Sequence, residues 1–118
     1  MTNDNWETPD WLIEHFKGNF DPCPNLYLPN SSTDGLLMDW SNPTYVNPPY
    51  SNPLPWVEKA IEQSKRGVKV CMLLRCDPST KWYRLLIEHG AKIAFFNPRF
   101  KFKNAIGSPN FAVMLAFL

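Results

Sequence analysis

Neither sign of charge prevails in this chain: 12 Lys and Arg stand against 11 Asp and Glu, for a formal net charge of +1. No global field draws it to a polyanion, so any nucleic-acid contact has to rest on a local basic patch. Cysteine is scarce as well. Cys23, Cys71 and Cys76 fall in no metal-ligand spacing and, being three, cannot all pair, so neither a cysteine metal centre nor a disulfide framework is expected. No run is long and apolar enough for a membrane span, and no signal-like segment stands out, so contact with a membrane is not expected and a reducing, cytoplasmic setting is. A length of 118 residues leaves room for one domain with a real core. Residues 1–118 are read as that single minimal domain, without a separate recognition domain.

Proline, by contrast, is abundant, with 12 residues. Two of them stand in Asn47-Pro48-Pro49-Tyr50, directly after the short β-prone run Tyr45-Val46. Each proline lacks an N–H and fixes its own φ, and the first is further restricted by preceding the second. The loop is therefore stiff, with its carbonyls unclaimed by secondary structure. An amide oxygen beside a main-chain carbonyl can accept two hydrogen bonds from one planar NH2 group, while an aromatic ring covers the π-system that bears it. Those are the needs of amine methylation. The competing interpretation is a proline-rich turn after a strand, but the chain's own residue frequencies make the tetrapeptide rare by chance.

Three helices share the same punctuation. Thr8 is an N-cap with Pro9 at the first helical position, Leu12, Ile13 and Phe16 form a stripe, and Gly18 ends it. Asn52-Pro53 opens the second, Val57, Ala60, Ile61 and Ser64 mark its inner face, and Gly67 closes it. Asp77-Pro78 opens the third, Trp82, Leu85 and Leu86 face inward, and Gly90 stops it. Between them lie strand-like runs at 19–23, 44–46, 68–74, 92–96 and 111–117. Val70-Cys71-Met72-Leu73-Leu74 is nearly continuous in apolar residues, as in a strand covered on both faces. Alternating strand and helix implies an α/β sandwich, in which ligands bind beyond the carboxyl ends of the strands. Both Asp21-Pro22-Cys23-Pro24 and the Asn47 loop fall at such ends and are expected to face one crevice.

The ordered set of motifs resembles the phage-type adenine-N6 DNA methyltransferases (Dam-like), which are small S-adenosylmethionine-dependent enzymes. The set runs from Glu7-Thr8-Pro9 through Phe20-Asp21-Pro22-Cys23, Asp34-Gly35-Leu36, Asp39-Trp40 and the Asn47 loop. It continues with Pro55-Trp56-Val57-Glu58-Lys59-Ala60, Leu73-Leu74-Arg75, Asp77 and Trp82, and ends at Arg99-Phe100-Lys101-Phe102. The resemblance implies a truncated Rossmann-like methyltransferase sandwich, mainly parallel with one antiparallel strand. It implies S-adenosylmethionine as cofactor, DNA containing adenine as partner, and work inside a bacterial or archaeal cell, as for a phage-encoded enzyme.

Carried over by position, the resemblance makes Asn47 and the Pro48 carbonyl acceptors for the adenine amine, with Pro49 stiffening the loop. Tyr50 stacks on the flipped base. No metal is called for. Asp21, with Pro22 and Cys23, is placed near the cationic aminoacyl part of the cofactor, although an Asp before Pro is also a common turn residue. Thr8-Pro9 resembles a motif contacting the methionyl end, compatible with its capping role because a helix start offers N–H groups. Arg99, Phe100, Lys101 and Phe102 resemble the aromatic segment that encloses the base; the same alternation also suits an exposed hairpin arm. Lys65, Arg66 and Lys69 read as a solvated helix end.

Two departures from the family pattern stand out. Only about two dozen residues separate Cys23 from Asn47, with no Gly-x-Gly among them, so the conventional nucleotide-binding half looks deleted. Asp34 and Asp39 are candidates for the ribose by position alone, and either also suits a turn or an ion pair. With so few elements to read sequence, the chain is expected either to recognise a very short site or to act as a homodimer. The alternatives are methylation of RNA adenine or protein glutamine, and a non-catalytic nucleic-acid-binding module on a degenerate methyltransferase fold.

Overall fold

The run Val70–Arg75 forms the central strand β2, and its first five residues are buried, because both of its faces are covered. β1 (Thr44–Val46) lies beside it in parallel, with Thr44 opposite Val70 and Val46 opposite Met72. On the other side β4 (Val113–Phe117) runs antiparallel, Leu73 facing Leu115 and Arg75 facing Val113. β3 (Lys92–Phe95) closes the far edge antiparallel to β4, giving the order β1-β2-β4-β3. Three strands therefore share one direction and β4 opposes them. The computed structural model describes residues 9–24, 34–96 and 112–118, and with helices α1 (Asp10–His15), α2 (Leu54–Lys65) and α3 (Lys81–His89) the fold is α/β with a mixed four-stranded sheet.

The pleat sorts the core into two layers. Val46, Val70, Met72, Leu74, Met114 and Ala116 face α2 and α3, meeting Trp56, Val57, Ala60, Trp82 and Leu86. Tyr45, Cys71, Leu73, Val113 and Leu115 face Leu12 of α1, with Phe16, Tyr50 and Phe96 at the margin. Leu12 is the only buried residue of the six in α1. Its burial, of order 1.5–3 kcal/mol, and the stack of Phe16 on Tyr45 at 4.6 Å attach this short helix to the sheet.

Several boundaries differ from the sequence-based expectations, each for a local reason. The expected strand at 19–23 shrinks to one parallel bridge between Phe20 and Thr44. Pro22 and Pro24 have no N–H to donate, and the N–H of Cys23 is taken by Asp21 Oδ1 at 3.0 Å. The third helix starts at Lys81 with Thr80 as its cap, its hydroxyl accepting from Tyr83 N. Asp77 instead closes a turn, accepting from the N–H and the hydroxyl of Ser79 at 3.1 and 2.6 Å. In α2 the buried positions are Trp56, Val57, Ala60 and Gln63; Ile61 and Ser64 are half-buried. Gly90 ends α3 at φ +89°, as expected of a left-handed cap. The N-cap expected at Thr8 lies outside the described residues, and α1 begins after Pro9, whose carbonyl accepts from Leu12 and Ile13 at 3.0 Å.

Candidate active site

Parallel pairing decides where the two sequence motifs meet. Phe20 N donates to the Pro43 carbonyl and Tyr45 N to the Phe20 carbonyl, both at 2.9 Å. The segment through Phe20 thus runs beside β1 in the same direction. Asp21-Pro22-Cys23 and Asn47-Pro48-Pro49-Tyr50 leave the sheet side by side at its carboxyl end, as the motif positions suggested.

Within the loop, Pro48 is buried and Asn47, Pro49 and Tyr50 are half-buried. The Oδ1 atom of Asn47 is buried and accepts no hydrogen bond, while the residue is engaged through other atoms. Pro49 uses its carbonyl to close a turn on Asn52 N at 3.3 Å, and no backbone N–H among the described residues donates to the Pro48 carbonyl. The Tyr50 hydroxyl points to the Leu73 carbonyl of β2 at 3.4 Å, a long contact. Burial, first, and the neighbouring Tyr45 raise its pKa well above the ordinary phenol value, with Arg75 opposing them. Tyr50 is therefore a neutral ring at any working pH.

A cleft of about 400 Å³ opens between α1 and the Phe20 segment, lined by Ile13, Phe16, Lys17, Gly18, Asn19, Asp21, Pro24 and Tyr45; it takes in the Asp21 segment but no residue of the Asn47 loop, so the single crevice expected of the two motifs is seen for the first of them only. Asp21 supplies its acidic group. Packing raises the Asp21 carboxyl above the ordinary aspartate value, and the bond from Cys23 N–H opposes that rise. Asp34 belongs to the same end. It is buried, its Oδ1 accepting from Leu36 N at 3.0 Å to cap the 3-10 turn Gly35–Leu37. Gly35 packs so closely on the Pro22 carbonyl that a Cβ there would collide with it. Asp39 lies elsewhere. It pairs with Arg66 at 3.0 Å and accepts from Gln63 Nε2 at 3.2 Å, beyond the last turn of α2 and toward the amino end of the strands.

Thr8, Arg99, Phe100, Lys101 and Phe102 lie outside the described residues. Two residues that carried no role in the sequence stand out in the structure. Gln63 is buried and accepts from Trp40 N at 2.9 Å, while Trp40 Nε1 donates to the Gly35 carbonyl at 2.8 Å. Together they tie α2 to the loop that backs Pro22. Arg75 ends β2 next to Tyr50. Its motif was visible in the sequence, but its neighbour was not. Among the described residues no group of three His, Cys, Asp or Glu side chains is placed to hold a metal, and no helix is long and apolar enough to cross a membrane.

An α/β protein with its polar loops gathered at the carboxyl ends of parallel strands is the class defined by this fold and site. Residues 1–112 match the family model described as DNA N-6-adenine-methyltransferase (Dam). A protein of Haemophilus phage HP1 (strain HP1c1) named DNA N-6-adenine-methyltransferase is 36% identical over 118 residues, spanning 86% of this chain and 67% of its own length. One of the same name from Escherichia phage T1 is 31% identical over 105 residues, spanning 76% of this chain and 43% of its own. The chain belongs to the DNA N-6-adenine-methyltransferase family. No solved structure matches it.

Proposed function

We propose that this chain transfers a methyl group from S-adenosylmethionine to the exocyclic N6 amine of adenine in DNA, on a truncated Rossmann-like methyltransferase sandwich. The observation that carries the reading is the convergence of the Asn47 loop and the Asp21 loop at one sheet edge, beside a cleft with an acidic and aromatic wall. Family membership and the names of the phage relatives support the substrate class. The opposed direction of β4 within an otherwise co-directional sheet suits the truncated sandwich.

The cleft fits the cofactor in chemistry: Asp21 complements a cation, and the stacked Phe16 and Tyr45 rings offer an apolar wall. When bound, S-adenosylmethionine supplies an electrophilic methyl group on a sulfonium. Asn47 Oδ1 and the Pro48 carbonyl accept the two amine hydrogens of adenine, which draws the nitrogen lone pair out of conjugation and aims it. Pro48 and Pro49 hold those acceptors without conformational freedom to lose. Tyr50 supplies a neutral ring on which the base stacks once it has left the duplex. Charge complementarity and alignment do the work, with no general base required.

The test is transfer of a labelled methyl group from S-adenosylmethionine into mixed-sequence duplex DNA, with RNA and protein acceptors run in parallel. Label recovered as N6-methyladenine in DNA is the expected result. Label only in RNA or protein moves the site to another planar amine, and no label anywhere at saturating cofactor leaves a binding module.

A further inference from the structure

At the end of the sheet away from the Asn47 loop lies a second cavity, of about 470 Å³, within the range usual for sites that hold a small molecule. It opens where β1, β2 and β3 begin and β4 ends, at Thr44, Val70, Lys92 and Phe117. The register sets its floor. Cys71 pairs with Phe117 and Phe117 with Lys92, so these three stand in one row on the face that carries α1. That helix ends at His15, and past Phe16 the row lies open, with Phe117 42% exposed.

The walls are apolar and their charged side chains have one sign. Phe16, Val70, Cys71, Phe117 and Leu118 supply the apolar surface, and Leu118 pairs its main-chain N–H and carbonyl with Val70 at 2.9 and 3.4 Å. Lys69 and Lys92 line the same cavity, which no Asp or Glu side chain enters. Both lysines are exposed, and among the described residues neither ammonium enters an ion pair. A lysine on the edge strand β3 also guards against pairing with another strand. Lys69 has no such task, because it leads into the central strand β2, where its carbonyl accepts from Thr44 N at 2.9 Å. The two cations stand two strands apart, roughly 10 Å, at either end of the apolar row. Other polar groups are few. Thr44 gives its hydroxyl to the Ser41 carbonyl at 2.7 Å, which leaves the Asn19 amide and the Cys71 thiol. A nucleotide would bring base and ribose edges that find no partners there, whereas an alkyl chain with one anionic head needs only hydrocarbon surface and a cation.

We infer that this cavity binds an amphipathic carboxylate of the fatty-acid class, its chain laid along Val70, Cys71 and Phe117 and its head between Lys69 and Lys92. The site is separate from the proposed adenine-methylating one and stands without it. Each methylene that leaves water adds affinity, and the carboxylate complements two like charges. Phe16 and Asn19 also line the Asp21 cleft, so substituting either disturbs both cavities; the lysines line this one alone.

The experiment titrates hexanoate, octanoate and decanoate, below the concentrations at which they form micelles, into the protein by calorimetry, with octanol and adenosine monophosphate alongside. It compares the parent with the double variant Lys69→Gln, Lys92→Gln and with Lys65→Gln, follows amide shifts by NMR, and measures the parent's mass by sedimentation. One equivalent of carboxylate is expected to bind, with affinity rising about fourfold for each methylene. Shifts concentrate at Lys69, Gly90 and Phe117. The double variant is expected to bind octanoate roughly fivefold to thirtyfold more weakly and octanol as the parent does, while Lys65→Gln changes neither. Carboxylate affinity equal in parent and double variant overturns the inference, as does an equal loss in Lys65→Gln or a set of shifts elsewhere. Tighter binding of adenosine monophosphate gives the cavity to nucleotides, and a dimeric parent that takes no carboxylate gives it to a second copy of the chain. Either result overturns the inference too, as does a monomeric parent that binds none of the carboxylates.

Discussion

In the proposed reaction Asn47 and Asp21 each act through one side-chain group, and substitution of each separates binding from chemistry. Asn47→Ala removes the amide acceptor while leaving the Pro48 carbonyl in place. Methylation is expected to fall at least about a hundredfold, the order lost with one aimed polar group, while DNA affinity stays within about twofold. Parallel anisotropy and methyl-transfer assays check this; retained methylation removes Asn47 from the site. For Asp21 the raised pKa fixes a sign. The folded protein holds this proton more tightly than the unfolded chain, so the group's contribution to stability is full below the ordinary aspartate range and is lost as pH rises through the raised value. Under the proposed function cofactor binding runs the other way, because a cationic ligand favours the ionised form. KM for S-adenosylmethionine is expected to climb as pH falls through the raised value, and to be high and flat in Asp21→Asn. An identical pH profile in parent and Asp21→Asn assigns the dependence to another group.

At the scale of elements, one buried amide joins the stack of Trp56 on Trp40 in attaching α2 to the loop behind Pro22. Gln63 is 1% exposed and joins Trp40 N, Asp39 and Glu62 through its two polar atoms. Gln63→Leu keeps the volume but leaves the Trp40 N–H buried without its acceptor, a loss of about 1–3 kcal/mol. Urea denaturation measures it. The same substitution is expected to loosen Gly35 from Pro22 through Trp40 and so to raise KM for the cofactor more than KM for DNA. Equal effects on both place the damage in global stability alone.

For the molecule as a whole, the central position of β2 protects its chemistry. Cys71 sits inside the sheet, and burial pushes its thiol pKa up to about 12. Cys23 is buried too, whereas Cys76, just past the end of β2, is half-buried. At pH 8 a maleimide is expected to label Cys76 quickly and to reach Cys71 and Cys23 only on unfolding, all three reacting in denaturant. Mass spectrometry of tryptic peptides reads the order. Fast native labelling of Cys71 contradicts a closed sheet. The net charge of +1 also means that DNA affinity at this scale is carried by placed cations rather than by a general field.

Much of this was legible along the chain because it is written in neighbours. The Asn47-Pro48-Pro49-Tyr50 loop is contiguous, its stiffness follows from two adjacent prolines, and the apolar run of β2 announces a doubly covered strand. Gly18, Gly67 and Gly90 marked the ends of helices for the same local reason: each has a positive φ, which glycine adopts without strain. Chain order alone could not separate Asp34 from Asp39, yet the two lie toward opposite ends of the strands, one capping a turn against Pro22 and the other paired with Arg66. Nor could it show Gln63 under Trp40, Gly35 against Pro22, or Arg75 beyond Tyr50. Those relations join residues from 13 to 25 positions apart, so only the pairing of Phe20 with β1, of β1 with β2, and the packing of α2 on the sheet decided them.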